Sequence, residues 1–145
     1  MKYAIFLCLA GTFVSTLANA EPIADRKALM KSNGEAMGVL GATAKGEREF
    51  DAAAVMAALE QLNANAEKFD VEALFPEGSD TGDTKAAPKI WEDMAGFTAA
   101  ADKFKEAAAA AAAAAPDSRE TLQPQVGAVG QTCGACHETY RLPST

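Results

Sequence analysis

The chain has 145 residues, 49% hydrophobic, 23% charged and 7% aromatic, with a formal net charge of -7. That length and apolar share suit one globular domain and exclude a disordered chain, while the scarcity of aromatic and β-branched residues argues against an all-β fold. The acidic balance repels phosphate backbones, which excludes nucleic acid as a partner class; a small ligand or a protein with a basic docking patch suits it better.

The first twenty residues read as a signal peptide. Lys2 supplies the positive start, Tyr3 to Leu17 are mostly apolar, and Ala18-Asn19-Ala20 gives the small-x-small cleavage pattern before Glu21. The apolar run is short for a membrane span and is broken by Gly11, Thr12, Ser15 and Thr16. Cleavage predicts a mature domain over 21–145, exported to a bacterial periplasm, with no membrane span left. It also removes Cys8, so the mature chain keeps Cys133, Cys136 and one histidine, His137.

Four helices follow in the periodicity. The first starts between Pro22 and Asp25 and runs to about Ala44, with Leu29, Met30, Met37 and Leu40 at helical spacing. Gly34, Gly38 and Gly41 each cost about 1 kcal/mol there relative to Ala. That cost predicts a close approach by a neighbouring helix or a flat ligand, and Lys45-Gly46 predicts the stop. The second helix runs from about Asp51, a natural N-cap, to Phe69. Asp70 to Ala87, with Pro76, Gly78 and Gly82, reads as an unusually long loop.

The third helix opens at Pro88 and carries Ile90, Trp91, Met94, Phe97, Ala101, Phe104 and Ala108 at spacings of three and four. The alanine run Ala107–Ala115 extends it until Pro116. In the fourth, Asp117 and Glu120 sit as in a capping box, but Pro124 would kink a helix begun there, so a restart at Gln123 or Pro124 is the competing start. Leu122, Val126, Val129, Cys133, Cys136 and Tyr140 then keep the period. Four amphipathic helices with mostly short links predict an all-α fold, an antiparallel four-helix bundle. Alanine-rich helices bury little area each, so a buried cofactor would help fill the core.

Cys133-Gly134-Ala135-Cys136-His137 is C-x-x-C-H, the c-type haem attachment motif. Positions three and four apart share a helix face, so both thiols can add to the vinyl groups of one covalently bound haem. His137 then reaches the iron as the proximal axial ligand. A zinc site needs four ligands, and the mature chain has three Cys or His in all. A thioredoxin-like pair needs a βαβ context, and a disulfide across two residues would staple little. For the sixth position there is no second histidine; the mature methionines are Met30, Met37, Met56 and Met94. Most helical methionines pack in cores. Met30 and Met37 lie two turns apart on one face, and periodicity does not choose between them.

The pattern resembles the class II cytochromes c, the cytochrome c-prime family. The resemblance runs from Arg26 to Arg141, through Arg26-Lys27-Ala28-Leu29-Met30-Lys31, Pro88-Lys89-Ile90-Trp91, and Val129-Gly130-Gln131-Thr132 before Cys133-Gly134-Ala135-Cys136-His137-Glu138-Thr139-Tyr140-Arg141. It implies a four-helix bundle holding one haem c, with thioethers at Cys133 and Cys136, His137 as proximal ligand and Arg141 near the proximal side. The position four after Arg26 faces the distal side of the iron in that family. Cytochromes c-prime carry a non-coordinating side chain there; Met30 at that position resembles the low-spin cytochrome c-556 branch, in which methionine is the sixth ligand. Arg26 resembles the family arginine near a haem propionate, against the alternative of a solvated surface charge. The implied function is electron transfer to a redox partner protein, as monomer or homodimer. The alternative is a five-coordinate protein binding NO or CO. An enzyme such as a peroxidase would need a distal acid–base group, typically a second histidine, so no enzyme is expected.

Overall fold

A computed structural model describes residues 20–143. The segment read above as a signal peptide lies, apart from Ala20, outside the described residues. The described residues form four long helices and two single-turn ones: α1 (Ala20–Lys45), α2 (Ala52–Glu67), α3 (Val71–Leu74), α4 (Lys89–Glu92), α5 (Met94–Ala113) and α6 (Arg119–Tyr140).

The ends of α1 and α2 follow their local signals. α1 begins earlier than its first apolar residues, with Pro22 in the first turn, where a missing N–H costs nothing. It stops where Gly46 turns left-handed at φ 79°, with Glu47 N–H donating to the Ala42 carbonyl at 2.9 Å. Asp51 caps α2, accepting from the Ala53 and Ala54 amides at 2.9 and 3.1 Å.

The predicted third helix is two. Pro88 opens the single turn α4, and Asp93, in a non-helical conformation (φ -140°, ψ 59°), ends it and caps α5. The Asp93 carboxylate accepts the Gly96 amide at 3.1 Å through one oxygen and the Tyr140 hydroxyl at 3.1 Å through the other. The apolar period runs through the break unchanged, so it could not reveal it. A Cβ at Gly96 would run into the Asp93 carboxylate and the Tyr140 hydroxyl, so a larger residue would displace the pair that caps α5.

The start of α6 also differs from expectation. Ser118 and Thr121 form the capping box, not Asp117 and Glu120, and Pro124 lies inside one continuous helix. The Arg119 Nε and Gln123 Nε2 groups donate to the Thr43 and Ala44 carbonyls at 3.2 and 2.9 Å. These bonds pin the first turn of α6 to the last turn of α1. The carbonyl that Pro124 leaves without a helical partner belongs to exposed Glu120, where water can reach it.

At the other link, Ala115 holds φ 42° just after α5, a conformation that glycine takes at no steric cost. Ala115→Gly is expected to stabilise the protein by about 0.5–1 kcal/mol. A urea midpoint at or below that of the parent would contradict this.

The long helices pack in a ring, α1 on α2, α2 on α5, α5 on α6 and α6 on α1. The end of α1 meets the start of α6, and the buried Asn65 amide near the end of α2 reaches Asn33 Oδ1 at 2.8 Å at the middle of α1. Neighbours are therefore antiparallel. The bundle interior is built from Leu40, Val55, Leu59, Leu62, Leu122 and Val129, each at most 1% exposed and each contributing about 1.5–3 kcal/mol by burial. A second, aromatic cluster closes the end where α1 begins and α6 finishes. Phe97 packs edge-on to Phe75 at 4.7 Å and to Tyr140 at 5.1 Å.

The three glycines of α1 do not serve the predicted close approach by a neighbouring helix. A Cβ at Gly34, Gly38 or Gly41 would meet nothing within 4 Å, because all three turn away from the elements that pack on α1.

Candidate functional site

Beside the aromatic cluster lies a cavity of about 610 Å³, a size usual for small-ligand and cofactor sites. Its walls come from the start of α1, the end of α6 and the segment between α2 and α5. Phe69, Phe75, Ile90 and Phe97 make it apolar, while Met30, Cys136 and His137 face it together. Cys133 sits one turn earlier on α6. Both cysteines are half-buried and form no disulfide; Cys133 packs against the bundle interior, Cys136 against the aromatic cluster.

Burial raises the pKa of both thiols, and repulsion from Cys133 adds to the effect at Cys136, which reaches about 11. Neither ionises at neutral pH. The His137 pKa is lowered by partial desolvation and by the Arg141 cation, which favours the neutral imidazole that metal ligation requires.

Met30 and Met37 part company here. Met30 is half-buried on the cavity wall opposite α6. Met37 packs against the bundle interior, its methyl 3.9 Å from where a Cβ of Gly130 would stand. Two turns of helix carry the second methionine away from the aromatic end. Gly34, one of the glycines whose cost predicted a neighbouring helix or a flat ligand, does not line the cavity.

Arg26 is 4% exposed, so it is not a solvated charge. Its guanidinium donates to the Leu74 carbonyl at 3.1 Å, to Ser79 Oγ at 3.0 Å, to the Ser79 carbonyl and to Thr84 Oγ1 at 2.7 Å. It also stands over the Phe75 ring at 5.0 Å. All these acceptors are neutral, and no ion pair with a carboxylate is formed by Arg26 among the described residues. Burial lowers its pKa, but an arginine keeps its proton at any working pH.

Sequence reasoning missed what Arg26 holds. The segment 70–87 read as a bare loop; it folds over the cavity as a wall. Asp70 caps α3 within it, Ser79 is fully buried, and Trp91 Nε1 donates to the Phe75 and Pro76 carbonyls at 3.2 and 3.1 Å. Its far end is stitched to the end of α6: Ala87 N–H donates to the Tyr140 carbonyl at 3.0 Å, and Leu142 N–H to the Lys85 carbonyl at 2.8 Å. Arg141 therefore leaves the helix in an extended conformation and lines the cavity from the chain beyond it.

The sign of charge at this cavity opposes that of the whole chain. Arg26, Lys27, Lys31, Lys85 and Arg141 line it, against one carboxylate, Asp83. The expectation of a basic patch on a partner rested on net charge, whereas the residues lining this cavity are mostly cationic.

The residues fit a covalently held haem. Two thiols stand one turn apart on one helix, a neutral imidazole follows the second, the walls are apolar, and a buried guanidinium without a carboxylate faces the same space. Bundle and site together define a mono-haem c-type cytochrome.

Comparison with known proteins agrees. The sequence profile of the family Cytochrome C' matches residues 21–141. The chain is 41% identical over 138 residues to the cytochrome c-556 of Agrobacterium fabrum, covering 95% of this chain and 90% of that one. It is also 41% identical over 126 residues to a cytochrome c' of Rhodopseudomonas palustris, covering 86% and 84%. The solved structure of cytochrome c' from Rhodopseudomonas palustris superposes with a TM-score of 0.79 at 38% identity, over 87% of this chain and 99% of that one. The chain belongs to the cytochrome c' family, and it carries haem c with its iron.

Proposed function

We propose that the protein is a low-spin electron carrier with His/Met iron ligation. Cys133 and Cys136 hold the haem as thioethers, His137 is the proximal ligand and Met30 the distal one. The observation that carries the reading is that Met30 and His137 face one cavity, while Met37 is packed elsewhere. When bound, the haem supplies a one-electron Fe(III)/Fe(II) couple, its potential raised by thioether ligation.

The chain's part is to bind, orient and exclude water. The aromatic wall and the segment Asp70–Ala87 keep the distal side apolar. Arg26, held one turn before Met30, offers its charge to a propionate, and Arg141 lies on the His137 side. No lining residue is suited to proton transfer during a reaction: His137 is committed to the iron, Asp83 is paired with Lys27, and the Tyr140 hydroxyl is given to Asp93. This supports a carrier over an enzyme.

The test is the optical spectrum in both oxidation states. Low-spin bands with a methionine-sulfur charge-transfer band in the oxidised protein are expected. High-spin bands, with ready carbon monoxide binding to the reduced form, would replace this reading with a gas-binding one.

We also propose that residues 1–20 are removed on export to the periplasm, leaving 21–145 as the working domain. No helix among the described residues is long and apolar enough to cross a membrane. N-terminal sequencing of the periplasmic fraction is expected to begin at Glu21; a start at Met1 would contradict it.

A further inference from the structure

The turn of α1 that carries Met30 sits between two buried polar anchors. Arg26 lies one turn before Met30 and Asn33 one turn after it, and both are buried; Leu40, a further seven residues on, is buried as well. Seven residues make almost two full turns, so Arg26, Asn33 and Leu40 form one line along α1. Met30 stands beside that line, on the cavity wall. Arg26 holds the wall segment 70–87. Asn33 holds the bundle itself. Asn65 Nδ2 on α2 donates to Asn33 Oδ1 at 2.8 Å and to Ser32 Oγ at 2.9 Å, and Asn65 Oδ1 accepts from Gln61 Nε2 at 2.9 Å. No polar side-chain atom of this cluster is buried without a partner.

Among the described residues, the other hydrogen bonds that tie α1 to a long helix run from α6 to the Thr43 and Ala44 carbonyls. Those lie about 20 Å beyond Met30 at 1.5 Å per residue. The apolar residues that α1 and α2 bury beside the pair are Ala36, Leu40, Ala58 and Leu62. Apolar burial is non-directional, so such a seam lets one helix roll or slide on the other at little cost. An amide pair does not, because a hydrogen bond weakens steeply once stretched beyond about 3.2 Å. A helix with its side chains has a radius of about 5–6 Å, so a roll of about 10° carries a side-chain tip through about 1 Å. That breaks the amide pair, and it exceeds the roughly 0.5 Å within which a functional group must be held. Asn33 and Met30, one turn apart on one helix, undergo the same roll. A buried amide in an apolar seam is also the best-attested way to fix helix register.

We infer that the Asn33–Asn65 pair positions the sixth iron ligand: it fixes the roll and register of α1 on α2, and so holds Met30 on the cavity wall opposite α6. This rests on the His/Met reading and adds the residues that keep the distal ligand in place. Neither asparagine lines the cavity, so the effect passes through the helix and not through contact with the haem.

The experiment compares the parent holoprotein with the double variant Asn33→Leu, Asn65→Leu, which replaces both amides by apolar side chains branched at the same carbon. Removing both partners together leaves neither stranded and is close to neutral for stability; Gln61 is exposed and turns to water. Urea unfolding should therefore place the variant near the parent, while the ligation readouts move. The oxidised variant should lose most of the methionine-sulfur charge-transfer band, and the reduced variant should bind carbon monoxide, which the parent should not. Hydrogen exchange of the amides over residues 28–33 should quicken about fivefold, the scale of one hydrogen bond's net contribution. Leu122→Ala, which opens the core at the other end of the bundle, should lower the urea midpoint and leave the band in place. Asn65→Ala, which strands Asn33 Oδ1, should also lose the band, and it serves if the double variant does not fold.

A double variant with the parental band, no carbon monoxide binding and parental exchange would overturn the proposal. So would loss of the band in Leu122→Ala, because ligation would then follow global stability and not this pair. A parent without the sulfur band would end the carrier reading alone, since exchange over residues 28–33 still reads whether the pair holds α1.

Discussion

Met30→Ala is expected to abolish the low-spin spectrum, lower the reduction potential and open the iron to carbon monoxide, which the parent should not bind. The side chain is on the cavity wall shared with His137, and among the described residues no second histidine or other methionine lines that cavity. Loss of the thioether leaves five-coordinate or water-ligated iron, and with it the potential-raising ligand. Met37→Ala is the paired control. Its side chain is half-buried against the bundle interior, so its removal should cost at most about 2 kcal/mol of stability and leave the spectrum unchanged. Optical spectra of the two variants check both statements. A low-spin Met30→Ala protein would mean that another group holds the iron.

Arg26→Met is expected to destabilise the fold by about 3–5 kcal/mol, the scale for removing the charged member of a buried hydrogen-bonded network. The guanidinium reaches acceptors on Leu74, Ser79 and Thr84 at once. Its loss strands the Leu74 and Ser79 carbonyls beside an apolar side chain, and the wall of the cavity loses its anchor. Arg26→Lys keeps the charge but has neither the reach nor the planar fork, so it should recover part of that loss at most. Urea unfolding measures the stability change, and limited proteolysis between Asp80 and Lys85 reads the freed segment. A variant as stable and as protease-resistant as the parent would show that Arg26 does not hold this wall.

Much of the architecture was written in short-range signals. The caps at Asp51 and Gly46 and the apolar period of each long helix act within one or two turns, and the structure obeys them. C-x-x-C-H is equally local: two thiols and an imidazole on adjacent turns of one helix carry their chemistry in their spacing. The errors fell where a local rule met a distant partner. The third helix breaks at Asp93 because Tyr140 and the Gly96 amide share its carboxylate, and Tyr140 is 47 residues away. Pro124 does not stop α6 because Arg119 and Gln123 tie its first turn to carbonyls at the end of α1. Asp117 gave way to Ser118 as cap by a shift of one residue.

The choice between Met30 and Met37 shows the same division at the site. Both satisfy the helical period, and family resemblance favoured one; which of them meets the cavity depends on where α6 and the aromatic cluster lie along α1. Arg26 is the extreme case. Its sequence neighbours describe a surface charge, yet its acceptors stand 48, 53 and 58 residues away, on a segment with no regular pattern to read. Charge behaves likewise. Composition sums to an acidic protein, yet among the described residues folding lines one opening with five cations and one carboxylate. Periodicity, capping and motif spacing are properties of neighbouring residues and can be read along a chain; the wall and the choice of which methionine faces the cavity arise from contacts that exist only once the helices have closed on one another.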